Sequence, residues 1–113
     1  MLIKYGSFLE GYMSPALHVT VRFNNLNLFK ALLDVPKINA DARNLSGDTA
    51  LHLAAERGNL EMVKLLLALP GVDAGTAGRN LDTPLHYAVR HSQIRVILLL
   101  LNRPDVDVGA HNQ

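Results

Sequence analysis

"DTALHLAAERGNLEMVKLLLALP", Asp48 to Pro70, decides the fold, because the chain writes it three times. Ser14 to Pro36 reads "SPALHVTVRFNNLNLFKALLDVP", and Asp82 to Pro104 reads "DTPLHYAVRHSQIRVILLLLNRP". His18, His52 and His86 stand 34 residues apart. The same step relates Leu17, Leu51 and Leu85; Leu32, Leu66 and Leu100; and Pro36, Pro70 and Pro104. A fixed period of this length marks stacked supersecondary units. No single unit buries its own apolar face, so the copies must share one continuous core.

Each copy reads as two short helices and an extended return. In the second copy Leu51, Ala54 and Ala55 sit at i, i+3 and i+4, the apolar stripe of a first helix. Gly58 can take the left-handed conformation that ends it, and Asn59 is placed to cap the next helix. Leu60, Val63 and Leu67 give that second helix its stripe, with Met62 and Leu66 beside it and Lys64 on the wet side. So short a connection forces an antiparallel αα-hairpin. Pro70-Gly71 stops the second helix, and "VDAGTAGRN" reads as a hairpin-like loop. Ala54 and Ala88 are small enough for neighbouring first helices to approach closely.

The 113 residues allow one domain, expected to span 1–113. Within it, 14–47, 48–81 and 82–113 are the three copies, and 1–13 reads as a remnant or N-terminal cap. Apolar residues make up 49% and charged residues 19%, the balance of a folded chain. A formal charge of +1 without charge blocks points away from nucleic acid and acidic membranes. The longest apolar run, Val96 to Leu101, is far shorter than the roughly 20 residues of a membrane span. Cysteine is absent, which removes disulfides and thiolate sites and fits a cytoplasmic or other reducing intracellular compartment.

Thr83-Pro84-Leu85-His86-Tyr87-Ala88 matches the signature T-P-L-H-x-A of ankyrin repeats, and Thr49-Ala50-Leu51-His52-Leu53-Ala54 departs only at the proline slot. The chain therefore resembles an ankyrin-repeat protein from about Ser14 to Val108. The resemblance implies an all-α solenoid of stacked antiparallel helix pairs joined by hairpin-like loops. Departures are local. Pro15 holds the Thr slot of the first copy, where Thr20 and Val21 replace the small alanines, and Ser14 is read as the helix cap. The turn glycine survives only as Gly47. Met13 and Leu81 replace it, so those turns need another geometry or carry strain. Leu98 stands where the other copies have Lys30 and Lys64, which leaves apolar surface on the last helix.

The stretch "LDTPLHYAVRH", Leu81 to His91, carries residue types that build metal sites and acid–base pairs. Its spacing argues otherwise. His86 follows Thr83 by three residues at a helix start, as in a capping box, and imidazole has both a donor and an acceptor for that role. The same reading applies to Thr49 and His52. The family resemblance implies that this bond also ties adjacent repeats. His18 has no Thr partner. Packed helices lie about 8–10 Å apart, too far for stacked histidines to share a zinc with bonds of roughly 2 Å. His86 and His91 point about 140° apart around a helix. The carboxylates are scattered, no nucleophile elbow is present, and "GTAGR" at Gly75–Arg79 is a weak phosphate motif. No enzyme, metal or cofactor is expected.

What remains is a surface. The resemblance implies a concave face built from hairpin tips and the solvent side of the first helices. Its variable positions fall on Tyr12, Ser14, Arg22 and Phe23; on Leu45, Asp48, Glu56 and Arg57; and on Arg79, Asn80, Asp82, Arg90 and His91. Aromatic and aliphatic groups beside arginines are the composition of interface hot spots. The expected function is non-enzymatic protein–protein interaction by a monomer, with the stack ends able to pair. The alternative is a structural spacer or accessory segment of a larger multidomain protein, whether a regulator, an enzyme or a bacterial effector.

Overall fold

The computed structural model describes residues 16–36 and 38–103. Met13, Pro15 and Pro104, the reading of 1–13 as a remnant or cap, and the candidates Tyr12 and Ser14 lie outside the described residues. Among the described residues six α-helices follow in chain order: α1 (Ala16–Arg22), α2 (Leu26–Leu33), α3 (Ala50–Arg57), α4 (Leu60–Leu67), α5 (Pro84–Arg90) and α6 (Ile94–Leu101). Among the described residues there is no strand. The first helix of each copy packs on that of the next, α1 on α3 and α3 on α5. The second helices line the other side.

The hairpins form because each inner turn places one left-handed residue. Gly58 takes it at φ 72° and closes α3 with hydrogen bonds to Ala54 O and Ala55 O. Asn24 and Ser92, in the same column, hold φ 55° and 57° without being glycine. The next N–H then reaches back five residues: Asn25 to Thr20 O, Asn59 to Ala54 O and Gln93 to Ala88 O, at 2.8–3.0 Å. These bonds satisfy carbonyls that a helix end leaves bare.

Asn25 accepts from Leu28 N–H at 3.1 Å, an ordinary helix cap. Asn59 differs from the sequence expectation, since it makes no cap bond. Its amide donates instead to Val21 O in the preceding repeat, at 3.5 Å. Gln93, in the same column, donates to Glu56 O at 2.9 Å, one residue further along the preceding first helix.

The core runs the length of the stack. Val21, Phe29, Ala54, Ala55, Val63, Leu66, Ala88 and Leu100 are fully buried. Ala54 and Ala88 sit where first helices meet, as their size suggested. Lys30, Lys64 and Leu98 are all exposed in one column. Leu98 thus replaces a solvated amine with hydrocarbon on the outer surface, as the sequence indicated.

Both loops are hairpins. Asn44 N–H donates to Asp48 O at 2.8 Å, and Gly78 N–H donates to Asp82 O at 2.7 Å. Gly47 turns the first tip at φ 88°, while Asn80 and Leu81 turn the second at 57° and 65°. The turn that lost its glycine therefore keeps a left-handed backbone and carries the strain that a leucine meets there.

Candidate functional site

Two surfaces meet at the hairpin bases: a buried seam between repeats and an open face of tips and helix ends. The seam is built on the histidine column. Thr49 N–H donates to His52 Nδ1 at 3.1 Å, and the Thr49 hydroxyl lies 2.8 Å from the same nitrogen. With Nδ1 accepting, Nε2 carries the proton and donates to Thr76 O and Asp82 O, both at 3.0 Å. The box on Thr83 and His86 repeats this geometry, with Thr83 N–H donating to Nδ1 at 2.8 Å. Both boxes are complete at the helix starts.

His18 has half of this arrangement. Its Nε2 meets Asp48 O at 2.7 Å, but its buried Nδ1 has no partner among the described residues. In the sequence the Thr slot of that copy holds Pro15, and proline offers neither hydroxyl nor N–H. Burial holds the His18 and His52 imidazoles below the ordinary histidine pKa, against the opposing pull of Asp48. Both are neutral donors that stitch one repeat to the next.

Asp48 and Asp82 need correction. The sequence placed both on the open face, but both side chains turn inward and are buried. Asp48 Oδ1 accepts from Arg79 N–H at 2.9 Å and from the Tyr87 hydroxyl at 2.6 Å. Burial, and then the bond to Asp48, raise the Tyr87 pKa well beyond its ordinary value, so the hydroxyl stays a donor. Asp82 pairs with Arg90 at 2.7 Å, and that guanidinium lies over the Tyr87 ring, 5.7 Å from its centroid. Tyr87 in turn sets its edge against His52, with ring centroids 5.1 Å apart. Arg90 thus has a structural duty that its sequence position did not reveal. His91 Nε2 lies 3.3 Å from Glu56 Oε2, with both side chains partly exposed.

Two further residues hold this region and were not read from the sequence. Arg43 donates to Gly47 O and Ala77 O, both at 2.7 Å, and to Thr76 Oγ1 at 3.0 Å, so it clips the two hairpins together. Gly78 passes so close to the seam that a Cβ there would sit 2.5 Å from Asp48 Oδ1 and 2.8 Å from His52 Nε2. Only glycine fits. The 34-residue columns pair Arg43 with Ala77 and carry no sign of this clip.

The open face retains Arg22, Phe23, Leu45, Arg57, Arg79, Asn80, Arg90 and His91, all exposed, with Glu56 half-buried among them. Phe23, Arg57 and His91 form one column, and Arg22, Glu56 and Arg90 another. Phe23 is 73% exposed, Leu45 76% and Leu81 66%, which adds Leu81 to the apolar groups at the rim. With both aspartates turned inward, the charge left on this face is carried mainly by arginine. Among the described residues no group of three or more His, Asp or Glu could hold a metal ion. No helix among them is long and apolar enough to cross a membrane.

Paired helices stacked at a fixed period, locked by Thr–His boxes and carrying an open rim, define a helical repeat protein. A family profile described as "Ankyrin repeats (3 copies)" matches residues 17–112, and the chain belongs to that family. Comparison with curated protein sequences gives no match. Among solved structures the chain is similar to one chain of the complex between a predatory endopeptidase from Bdellovibrio bacteriovorus and an immunity protein. The similarity has a TM-score of 0.75 at 30% identity, over 84% of this chain and 48% of the other. This chain thus spans about half the length of that one.

Proposed function

We propose that this chain is a non-enzymatic protein-binding module that takes a folded partner on its open face. The observation that carries this reading is the contrast between base and rim. The base is fixed by buried hydrogen bonds between repeats, while the rim offers Phe23, Leu45 and Leu81 with the exposed arginines Arg57 and Arg79. A pre-organised surface loses little conformational freedom on docking. The immunity-protein complex similar to this chain supports a protein, rather than a small molecule, as the ligand class. The charge of the rim favours a partner surface with acidic groups around apolar sockets, whose attraction weakens as salt rises.

The test is capture of partners from source-cell lysate by the wild-type chain and by Phe23→Ala/Arg57→Ala, with mass spectrometry of what is retained. Both side chains are exposed, so the melt should be nearly unchanged, while capture should fall by tenfold or more. Undiminished capture by the double variant would remove these residues from the binding face.

A further inference from the structure

The two hairpin tips are held by different means. The first closes on a side chain of its own: Asn44 Oδ1 accepts from Ser46 N–H and Asp48 N–H, both at 3.0 Å. Gly47 makes its turn at φ 88°. The second tip has Gly78 in the Asn44 column and so lacks that side chain. It also sets two successive residues with side chains, Asn80 and Leu81, in the left-handed region at φ 57° and 65°. Such conformations persist only where the surroundings over-determine the backbone.

Here the surroundings are buried groups of the second and third repeats. Asp48, from the second, accepts Arg79 N–H on Oδ1 at 2.9 Å. The Tyr87 hydroxyl, from the third, donates to that same oxygen at 2.6 Å. His52 Nε2 holds the far end of the tip through Asp82 O at 3.0 Å. Gly78 makes this reach possible, since a Cβ there would lie 2.5 Å from the carboxylate oxygen. Tyr87 is itself fixed, buried against the His52 ring and under the Arg90 guanidinium. On this base Arg79 and Leu81 are both exposed.

We propose that Asp48 and Tyr87 are positioning residues for the binding face: through their shared hydrogen bond they hold the tip at Arg79–Leu81 in one shape before a partner arrives. The part played in binding rests on the reading of the open face as a protein-binding surface; the hold on the tip does not. Asp48 serves the face from beneath rather than from its surface. A tip already fixed spares the conformational freedom that a loose loop loses on docking. The first tip, closed by Asn44, needs no such support from the seam.

NMR relaxation of the backbone amides in the free chain tests the hold without any partner. In the wild type, Arg79, Asn80 and Leu81 should show order parameters of about 0.85, as the helices do. Tyr87→Phe keeps the ring and deletes only the bond to Asp48. In that variant the three values should drop below about 0.6 while the helices stay as they were. Asp48→Asn leaves an acceptor oxygen for both donors and should keep the tip rigid. A general loss of stability would not move these values, because they report the folded state alone. A tip as rigid in Tyr87→Phe as in the wild type overturns the proposal. So does a tip as loose in Asp48→Asn as in Tyr87→Phe, because the shared acceptor would then not be what holds it. Capture from source-cell lysate reads the second half. Tyr87→Phe alters no exposed side chain, yet its capture should fall about fivefold. Full capture by Tyr87→Phe with a loosened tip, alongside capture lost in Phe23→Ala/Arg57→Ala, would overturn the role in binding and leave the reading of the face standing.

Discussion

The two seams among the described residues share one apolar framework and differ in their polar stitching. Between the second and third repeats, His52 is satisfied at both nitrogens, Tyr87 bonds Asp48, and Gln93 reaches Glu56 O at 2.9 Å. Between the first and second, His18 makes one bond, Leu53 stands in the tyrosine column, and Asn59 reaches Val21 O at 3.5 Å. The helices stack either way. Apolar packing therefore sets the architecture, and the polar groups set how firmly each repeat is held.

Removing each histidine in turn gives the largest effect. His52→Ala leaves Thr76 O without that donor and opens a void under Tyr87, a loss of about 3–4 kcal/mol. His18→Ala also empties a buried site, but Asp48 O keeps the Asn44 N–H and no Thr box is broken. Its cost should be about 1–2 kcal/mol. Urea unfolding of the two variants measures the difference. Equal losses would show that the extra bonds of the second seam contribute nothing net.

Acid tests both seams together. The His18 and His52 pKa values are lowered in the folded chain, so the unfolded chain binds protons first as pH falls. Their contribution to stability is full above the unfolded value of about 6.5 and is lost as pH drops towards the folded values. Unfolding free energy should fall between pH 7.5 and 5.5, by at most about 1.4 kcal/mol per pH unit for each histidine. In His52→Ala the slope should drop to the share of His18. A pH-independent stability over that window would mean that the imidazoles are not buried as neutral donors.

The weaker seam can also be strengthened. Pro15→Thr offers His18 Nδ1 the hydroxyl and N–H that Thr49 gives His52. A gain of about 1 kcal/mol is expected, read as a higher melting temperature. The same substitution in a His18→Ala background should give no more than a simple helix cap does. An identical gain in both backgrounds would uncouple the box from the histidine.

The sequence was most informative where a rule is local. The helix pairs, both Thr–His boxes and the left-handed Gly58 follow from neighbours within a turn, and the repeat period carries them from copy to copy. It was least informative about direction across the stack. Asp48 and Asp82 lie beside the tips in sequence, yet Asp48 accepts from the buried Tyr87 hydroxyl of the next repeat, and Asp82 folds back onto Arg90 at the end of its own helix. Their polarity alone does not say whether they face water. Asn25 and Asn59 share a column and bond differently: the first accepts from Leu28 N–H, and the second donates to Val21 O of the preceding repeat. One signal was available: a column of aspartates 30 residues after a column of histidines, at the same period, points to a contact made once per repeat.

The smallest effect concerns the tips, where the order of the seams is reversed. The loosely stitched seam has the relaxed tip, with Gly47 at φ 88°, and the firmly stitched one has Leu81 strained at φ 65°. A leucine there costs about 1–2 kcal/mol over glycine in backbone energy, of which glycine's extra freedom in the unfolded chain returns about half. Leu81→Gly should therefore raise stability slightly, by about 0.5 kcal/mol. If the side chain is retained for what it offers at the rim, partner affinity should fall about tenfold in the same variant, the loss expected for one well-buried aliphatic group. A chain that is both more stable and equally tight in binding would return Leu81 to the role of a tolerated turn residue, and would leave the apolar part of the rim to Phe23 and Leu45.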